Sequence, residues 1–515
     1  QRKQLVYQLK SENYIPYLKT KIETNASYTS GKSSTPDFKN VQYWINPDGT
    51  YQIGGAIGDG IHRYYRYLDE NIADLRTAIE LPISKNSDLI RKIKFGGSVQ
   101  YTEQNFDQYD YFVLQGPEIG TFENGDVDAY LNQDQFNITS GINDENIPYS
   151  SFNAYYQELG NAANHTFGNS YTFASFLMSD FAITRKFRIA GGLRMEWAHV
   201  FTDVVKFDSL GLAKDDPRRV YSTSYPIANP GELNNTVLLP SINLIYKIKD
   251  NEDNPINLRV NYSQSVARPS IRELSDVATV DYELRSGVFG NSQLKPVTIN
   301  NYDFRIESFF KSGNTLSTSL FYKTFKNHIE LVNTNGYTWQ NANESTVAGI
   351  EIEGRVKINS KIELGSNLTF VKSKTNLVRT RYELSGGYPV NIPLDTISRS
   401  MFGQAPYAIN FIANYKLDSL GLVCTISYNI QGPRLVLASN NKEIPDVYEL
   451  PRNLIDLKVS KTIGEHFSVS VAVKDLLNTS VRRSYKYDSG GYDVLDYDKV
   501  TYGTTYNLSI AYKLK

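Results

Sequence analysis

Apolar and polar residues alternate strictly along much of the chain. Ile256, Leu258, Val260 and Tyr262 take every second place against Asn257, Arg259, Asn261 and Ser263, so an extended backbone presents one greasy and one polar face. The same period runs through Tyr302, Phe304 and Ile306 against Asp303, Arg305 and Glu307. It runs again through Ile350, Ile352, Val356 and Ile358 against Glu351, Glu353, Arg355 and Lys357, and through Tyr506, Leu508, Ile510, Tyr512 and Leu514. Helical spacing fits none of these. The pattern predicts about 17 strands, near 3–13, 16–30, 73–85, 91–110, 165–184, 186–203, 235–248, 254–267, 298–311, 314–333, 345–358, 361–380, 403–416, 420–438, 452–463, 465–477 and 500–514.

The connections alternate in length. Lys311-Ser312-Gly313-Asn314, Asn359-Ser360-Lys361 and Thr462-Ile463-Gly464-Glu465 are tight and carry the Gly, Asn and Ser of hairpin turns. The links 31–72, 111–164, 204–234, 268–297, 381–402, 439–451 and 478–499 far exceed the ~4–6 residues usual in compact domains. Short at one rim and long at the other is the signature of an all-β, transmembrane, antiparallel up-and-down barrel with short periplasmic turns and long extracellular loops. A soluble sandwich would not sort its links this way. Residues 1–515 read as one barrel unit, with a plug and the first strands expected outside this chain. An odd strand number does not close an ordinary single-chain bacterial barrel, so about five further strands, completing about 22, are expected upstream.

Composition narrows the options. Lys plus Arg number 54 and Asp plus Glu 55, a formal charge of −1, and no basic run is present, which argues against a nucleic-acid partner. Mean hydropathy is −0.41, and no apolar run reaches the ~18 residues of a membrane helix. A barrel evades that test, because only alternate residues face lipid. The 38 tyrosines suit interfaces that are dry at one end and wet at the other. Cys424 is the sole cysteine, and His62, His165, His199, His328 and His466 follow no metal-ligand spacing, so no metal or other cofactor is expected. Gln1-Arg2-Lys3-Gln4 carries no secretion-signal pattern.

With the apolar face in lipid, Arg259, Asp303, Arg305, Glu307, Glu351, Glu353 and Arg355 line a wet or tightly paired lumen. Tyr64, Tyr65, Arg268, Arg272 and Trp339 are the loop residues that could meet a ligand or partner. Each has a plainer role. Pro269 ends a strand, leaving Arg268 as a partner for a carboxylate such as Glu273, and the loop aromatics could form girdles or pack within loops. Glu123-Asn124-Gly125-Asp126-Val127-Asp128 lacks the closing glutamate of a calcium loop, and Gly54-Gly55 through Gly60 lacks the strand-to-helix setting of a phosphate loop. No nucleophile and base are spaced for catalysis, so no enzymatic activity is expected.

Particular residues add to the pattern. Leu238-Leu239-Pro240-Ser241-Ile242-Asn243-Leu244, Val266-Ala267-Arg268-Pro269-Ser270-Ile271-Arg272-Glu273-Leu274, Gly290-Asn291-Ser292-Gln293-Leu294-Lys295-Pro296 and Asn301-Tyr302-Asp303-Phe304-Arg305 occur in this order. So do Pro36-Asp37-Phe38, Arg63-Tyr64-Tyr65-Arg66-Tyr67-Leu68, Ala348-Gly349-Ile350-Glu351-Ile352-Glu353, Gly403-Gln404-Ala405-Pro406-Tyr407 and Val473-Lys474-Asp475-Leu476-Leu477-Asn478. Together they resemble the barrel of TonB-dependent outer-membrane receptors of the Bacteroidota type. The resemblance implies residence in the outer membrane of a Gram-negative bacterium, contact with outer-membrane lipid, and a barrel occluded by a plug domain. It implies import of a bulky nutrient (a glycan, peptide or metal chelate), powered by a TonB-type energy-coupling protein, with a surface lipoprotein as a further partner. The competing expectation is a receptor-like barrel serving as a scaffold or docking subunit among other outer-membrane proteins. Ending in Lys515 rather than an aromatic departs from the common barrel pattern.

Overall fold

The computed structural model describes residues 1–53, 60–83, 89, 91–115, 126, 136, 138–142, 148–152, 154–158, 165–204, 230–275, 278–281, 286–333, 337–385, 388–486 and 492–513. The acidic stretch 123–128, apart from Asp126, and the glycine stretch 54–59 lie outside these residues.

The alternating segments form one antiparallel wall of seventeen long strands. They are β1 (Arg2–Ile15), β2 (Thr20–Val41), β3 (Ile61–Pro82), β4 (Arg91–Gln115), β5 (His165–Ala182), β6 (Phe187–Val204), β7 (Gly231–Lys249), β8 (Ile256–Ala267) and β9 (Val297–Phe309). The wall continues through β10 (Thr315–Asn333), β11 (Tyr337–Lys357), β12 (Ile362–Ser385), β13 (Tyr407–Leu417), β14 (Leu422–Gln431), β15 (Asn453–Ile463), β16 (Phe467–Lys474) and β17 (Thr505–Tyr512). Every strand pairs antiparallel with the next in sequence. Among the described residues the outer edges of β1 and β17 pair with nothing, and β17 is exposed along its whole length.

The period of two sorts the side chains as the sequence requires. Leu75, Val99, Leu177, Leu193, Leu238, Val260, Phe304, Ile306, Leu320 and Leu508 lie on one face and are exposed, a belt no soluble protein would leave bare. Rows of tyrosines border it. Tyr7 faces Tyr28 in the β1–β2 register and Tyr101 faces Tyr171 in β4–β5, with the latter ring centroids 4.7 Å apart. Tyr262, Tyr302 and Tyr322 likewise stand opposite one another on β8, β9 and β10. These rings sit on the side of the belt away from the tight turns, as an outer interfacial girdle does. Among the described residues no helix is long and apolar enough to cross a membrane.

The strands outrun the expected boundaries. The link assigned to 31–72 is in fact the upper ends of β2 and β3, which stay paired from Lys21–Glu80 to Val41–Ile61 across a bulge near Pro36. Apolar alternation stops where lipid stops, but the hydrogen-bond ladder does not. In the other direction, the single strand expected over 420–438 breaks at Gly432-Pro433, and Arg434–Ser439 leaves the wall. It joins Asp446–Glu449, Val481–Lys486 and Tyr492–Val500 in a small sheet above the rim, attached alongside β10 through Val332 and Ala438. The expected loops 439–451 and 478–499 therefore contain ordered strands. So does 381–402, where Tyr388–Arg399 folds back on β12.

Candidate functional site

The polar face of β8 to β12 is a ladder of paired charges. Arg259 and Arg305 stand directly opposite each other, a repulsive register relieved by one carboxylate. Glu307 accepts from Arg259 Nε at 2.7 Å and from Arg305 Nε at 3.3 Å. The next strand carries only Ser317 and Ser319 at this level, so the Arg305 guanidinium reaches over it. It donates to both serines, at 2.9 and 3.1 Å, and to Glu353 on β11 at 2.9 Å. Asn257 and Asn367 cap the two carboxylates, Asn261 donates to Asp303 at 3.1 Å, and Arg355 pairs with Glu363 at 2.6 Å. Six of the seven lumen candidates are thus engaged in one polar wall. Glu351 makes no ion pair among the described residues. A wall with most of its charges paired is hydrated and rigid; Lys323, on the same face of β10 opposite Asn301, makes no ion pair among the described residues.

The loop candidates separate. Arg268 does not pair with Glu273. Its Nη1 donates to Glu196 Oε2 at 2.9 Å, two strands away on β6, and Glu196 also accepts from Arg194 at 2.7 Å. Glu273 is occupied in a capping box with Ser270 on the four-residue helix Ile271–Leu274, which also carries Arg272. That helix drops Leu274 into a cluster with Val200, Leu233 and Leu294. Asn291 fastens it, its backbone N–H donating to Glu273 O at 2.7 Å and its side chain to Trp339 O at 2.9 Å. Gly290 is needed there, because a Cβ would stand 1.6 Å from Ser275 O. Trp339 packs against two hydrophobic clusters and so belongs to loop packing rather than to a ligand surface. Tyr64 and Tyr65 lie on a strand, not a loop, and face opposite ways. Tyr64 is buried, stacked on His62, and Tyr65 points outward.

Several groups escaped the sequence because their partners are remote in the chain. His62 Nδ1 meets Asp110 at 2.9 Å, His165 meets Asp107 at 2.9 Å, and His199 meets Glu232 at 3.0 Å. At the upper end of β10, Arg399 donates to the fully buried Glu330 at 2.9 Å, its own side chain 6% exposed. The hydroxyl of Ser345 links His328, at 3.3 Å, to Thr375, at 2.9 Å. The ~9–11 residues that cross the hydrocarbon from Thr315 are used before Asn327, so this cluster stands outside the membrane. Around it Val332, Leu435, Ala438 and Tyr448 form one apolar cluster, and Val288, Leu331, Tyr337, Leu437 and Val447 another. Among the described residues, no group of histidines, cysteines and carboxylates could hold a metal ion.

Burial, with Arg399 adding to it, lowers His328 from its ordinary 6.5 to about 4, whereas burial pushes Glu330 up against the opposing charge of Arg399. Above pH 6.5 His328 is neutral whether folded or not. Below it the unfolded chain takes up the proton first, so the crown loses stability as the pH falls from 6.5 towards 4. At pH 5 the expected loss is about 2 kcal/mol, at ~1.4 kcal/mol per unit. Hydrogen exchange at 328–333 across this range should show it. Subtracting the same titration of His328→Gln removes the opposite contribution of Glu330; identical curves for the two proteins would refute the assignment.

The comparisons agree with this architecture. Residues 6–476 match the family model described as TonB dependent receptor-like, beta-barrel. No curated protein matches the chain. Among solved structures the chain is similar to the siderophore receptor PiuA from Acinetobacter baumannii, with 13% identity and a TM-score of 0.59 over 99% of this chain and 64% of that one. The copper transporter OprC gives 11%, 0.57, 99% and 65%. The pyoverdine outer membrane receptor FpvA from Pseudomonas aeruginosa PAO1 gives 13%, 0.56, 100% and 62%. The chain thus spans less than two thirds of the length of these structures. By its strand ladder, its lipid-facing belt and its match over 6–476, this chain belongs to the TonB-dependent receptor-like β-barrel family.

Proposed function

We propose that this chain is the barrel wall of an outer-membrane receptor that imports a bulky nutrient, of the glycan, peptide or metal-chelate class, in a TonB-dependent manner. The observation that carries the reading is the coexistence of an exposed apolar belt with an inner wall most of whose charges are paired. Such a wall suits a lumen that is filled by a plug and wetted when the plug moves. The free edges of β1 and β17 support completion of the cylinder by about five further strands, to about 22. Ligand contact then falls to the loops and the plug. The reading is of transport without catalysis.

The test is uptake by whole cells carrying the full-length protein, offered labelled oligosaccharide, peptide and ferric chelate in turn. Accumulation of one class, abolished when the TonB-type protein is deleted, is expected. If none accumulates while the barrel is correctly inserted and purifies in fixed ratio with other outer-membrane proteins, the scaffold role replaces the transporter.

A further inference from the structure

One aromatic surface lies on the wrong side of the wall for cargo. In the β3–β4 register Leu75 faces Val99 within the lipid belt, and counting upward by twos on the same face brings Tyr67, Tyr65 and Arg63 beside Asp107, Tyr109 and Tyr111. With Tyr156 these residues line an open cleft of about 470 Å³: Arg63, Tyr65, Tyr67, Tyr109, Tyr111 and Tyr156. The cleft therefore opens sideways, on the face that meets lipid lower down, and not into the lumen. Its height follows from the same register. Tyr109 is eight residues above the girdle ring Tyr101. At ~3.4 Å per residue and a tilt of ~45°, that places it about 20 Å above the interface, beyond the ~5–8 Å of headgroups.

The chemistry of the cleft is specific. Tyr65 meets Tyr111 edge to face at 5.8 Å, and Tyr67 meets Tyr109 at 6.5 Å, so the walls are rings with hydroxyl tips. Tyr67, Tyr109 and Tyr156 remain 40%, 37% and 45% exposed. Arg63 lies 5.6 Å from the Tyr156 ring but is held at 2.6 Å by Asp37, which also accepts from Tyr65 at 3.3 Å. It shares Asp37 with Lys39, whose Nζ lies 3.9 Å from the same carboxylate, and Asp69, Glu103 and Asp107 carry acidic groups on the same face just below. Among the described residues the carboxylates Asp37, Asp69, Glu103 and Asp107 outnumber Arg63, Lys39 and Lys32 on this face, which disfavours a phosphate. What fits is a ligand with apolar C–H faces for the rings and hydroxyls for the phenols and the Asp37–Arg63 pair.

We infer that this cleft binds the neutral saccharide of a glycolipid anchored in the outer leaflet, whose sugar chain rises past the headgroups alongside β3 and β4. The surface is continuous with the lipid-facing belt, and a membrane-anchored ligand reaches it without entering the barrel. This site is separate from nutrient import and does not depend on the cargo.

The test uses the full-length protein in phosphatidylcholine nanodiscs containing Forssman glycolipid, a neutral five-sugar lipid long enough to reach the cleft, or ceramide alone, with bound lipid counted by native mass spectrometry. Preferential retention of the glycolipid is expected, insensitive to salt. Tyr65→Ala combined with Tyr109→Ala should lower it by roughly tenfold, equivalent to about 1.4 kcal/mol. The pair Tyr65→Phe and Tyr109→Phe keeps the rings and should keep most of the binding, which separates stacking from misfolding. Equal retention of ceramide and glycolipid, or no effect of the alanine pair, would overturn the inference. So would equally tight binding of the free pentasaccharide, which would make the ligand a soluble glycan, or loss of binding in salt, which would make it an anion.

Discussion

Replacing Arg399 with alanine should loosen the crown above β10 by about 3–5 kcal/mol, the largest effect expected of any single change here. The Arg399 and Glu330 side chains are both buried, 2.9 Å apart, and among the described residues Gln340 is the only other donor to the carboxylate, at 3.4 Å. Truncating the arginine leaves the carboxylate of a fully buried Glu330 without its cation, two residues from Val332 of the apolar cluster with Leu435, Ala438 and Tyr448. It must then take up a proton or pull the cluster open. Hydrogen exchange at 328–333 and 434–449 reads this directly, because the strands within the bilayer hold the barrel together regardless. Replacing both partners, with Glu330→Gln and Arg399→Met, should return most of the loss, since the cost lies in the orphaned charge and not in the missing attraction. Unchanged exchange in Arg399→Ala would show that water reaches Glu330.

The second large effect belongs to the belt. Ile306→Arg places a charge on the exposed face of β9, between the girdle ring Tyr302 and Phe310 near the tight turn, close to mid-membrane. It should cost about 2–4 kcal/mol of folding into bilayers, whereas the same substitution at Asn105, on the outward face of β4 but above Tyr101, should cost about 0–1. Folding yield into vesicles across a urea series measures both. Equal costs at the two positions would mean that depth in a membrane does not distinguish them.

Much of this architecture is written in the local pattern. A strand with one face in lipid must alternate, so each expected segment finds its strand, from Leu5 and Leu9 on β1 to Leu508 and Ile510 on β17. The pattern is silent where lipid ends. On β3 the outward residues above Ala73 are Asn71, Asp69 and Tyr67, which fall in the expected link 31–72 although the ladder to β4 continues unbroken as far as His62 and Phe112. Lumen candidates were legible because alternation alone sends Arg305 and Glu307 to the face opposite Phe304 and Ile306. Their partners were only partly so. Arg305 reaches Glu353 because the intervening strand carries serines, a fact of register and not of spacing. Arg268 and Glu196, or Glu330 and Arg399, are about 70 residues apart, and nothing local to either announces the other. The outward tyrosine cleft was visible as Arg63-Tyr64-Tyr65-Arg66-Tyr67, but only extending the alternation of β3 past residue 73 reveals that Tyr64 and Tyr65 serve opposite faces.

Spin labels placed one at a time at residues 302–307 of β9, in the protein inserted into vesicles, test the account most directly. Labels at Tyr302, Phe304 and Ile306 should relax with lipid-soluble oxygen, and those at Asp303, Arg305 and Glu307 with a water-soluble nickel chelate, giving a period of two along the strand. A uniform response to the aqueous reagent at all six positions, or the opposite phase, would contradict a lipid-facing belt on a transmembrane wall.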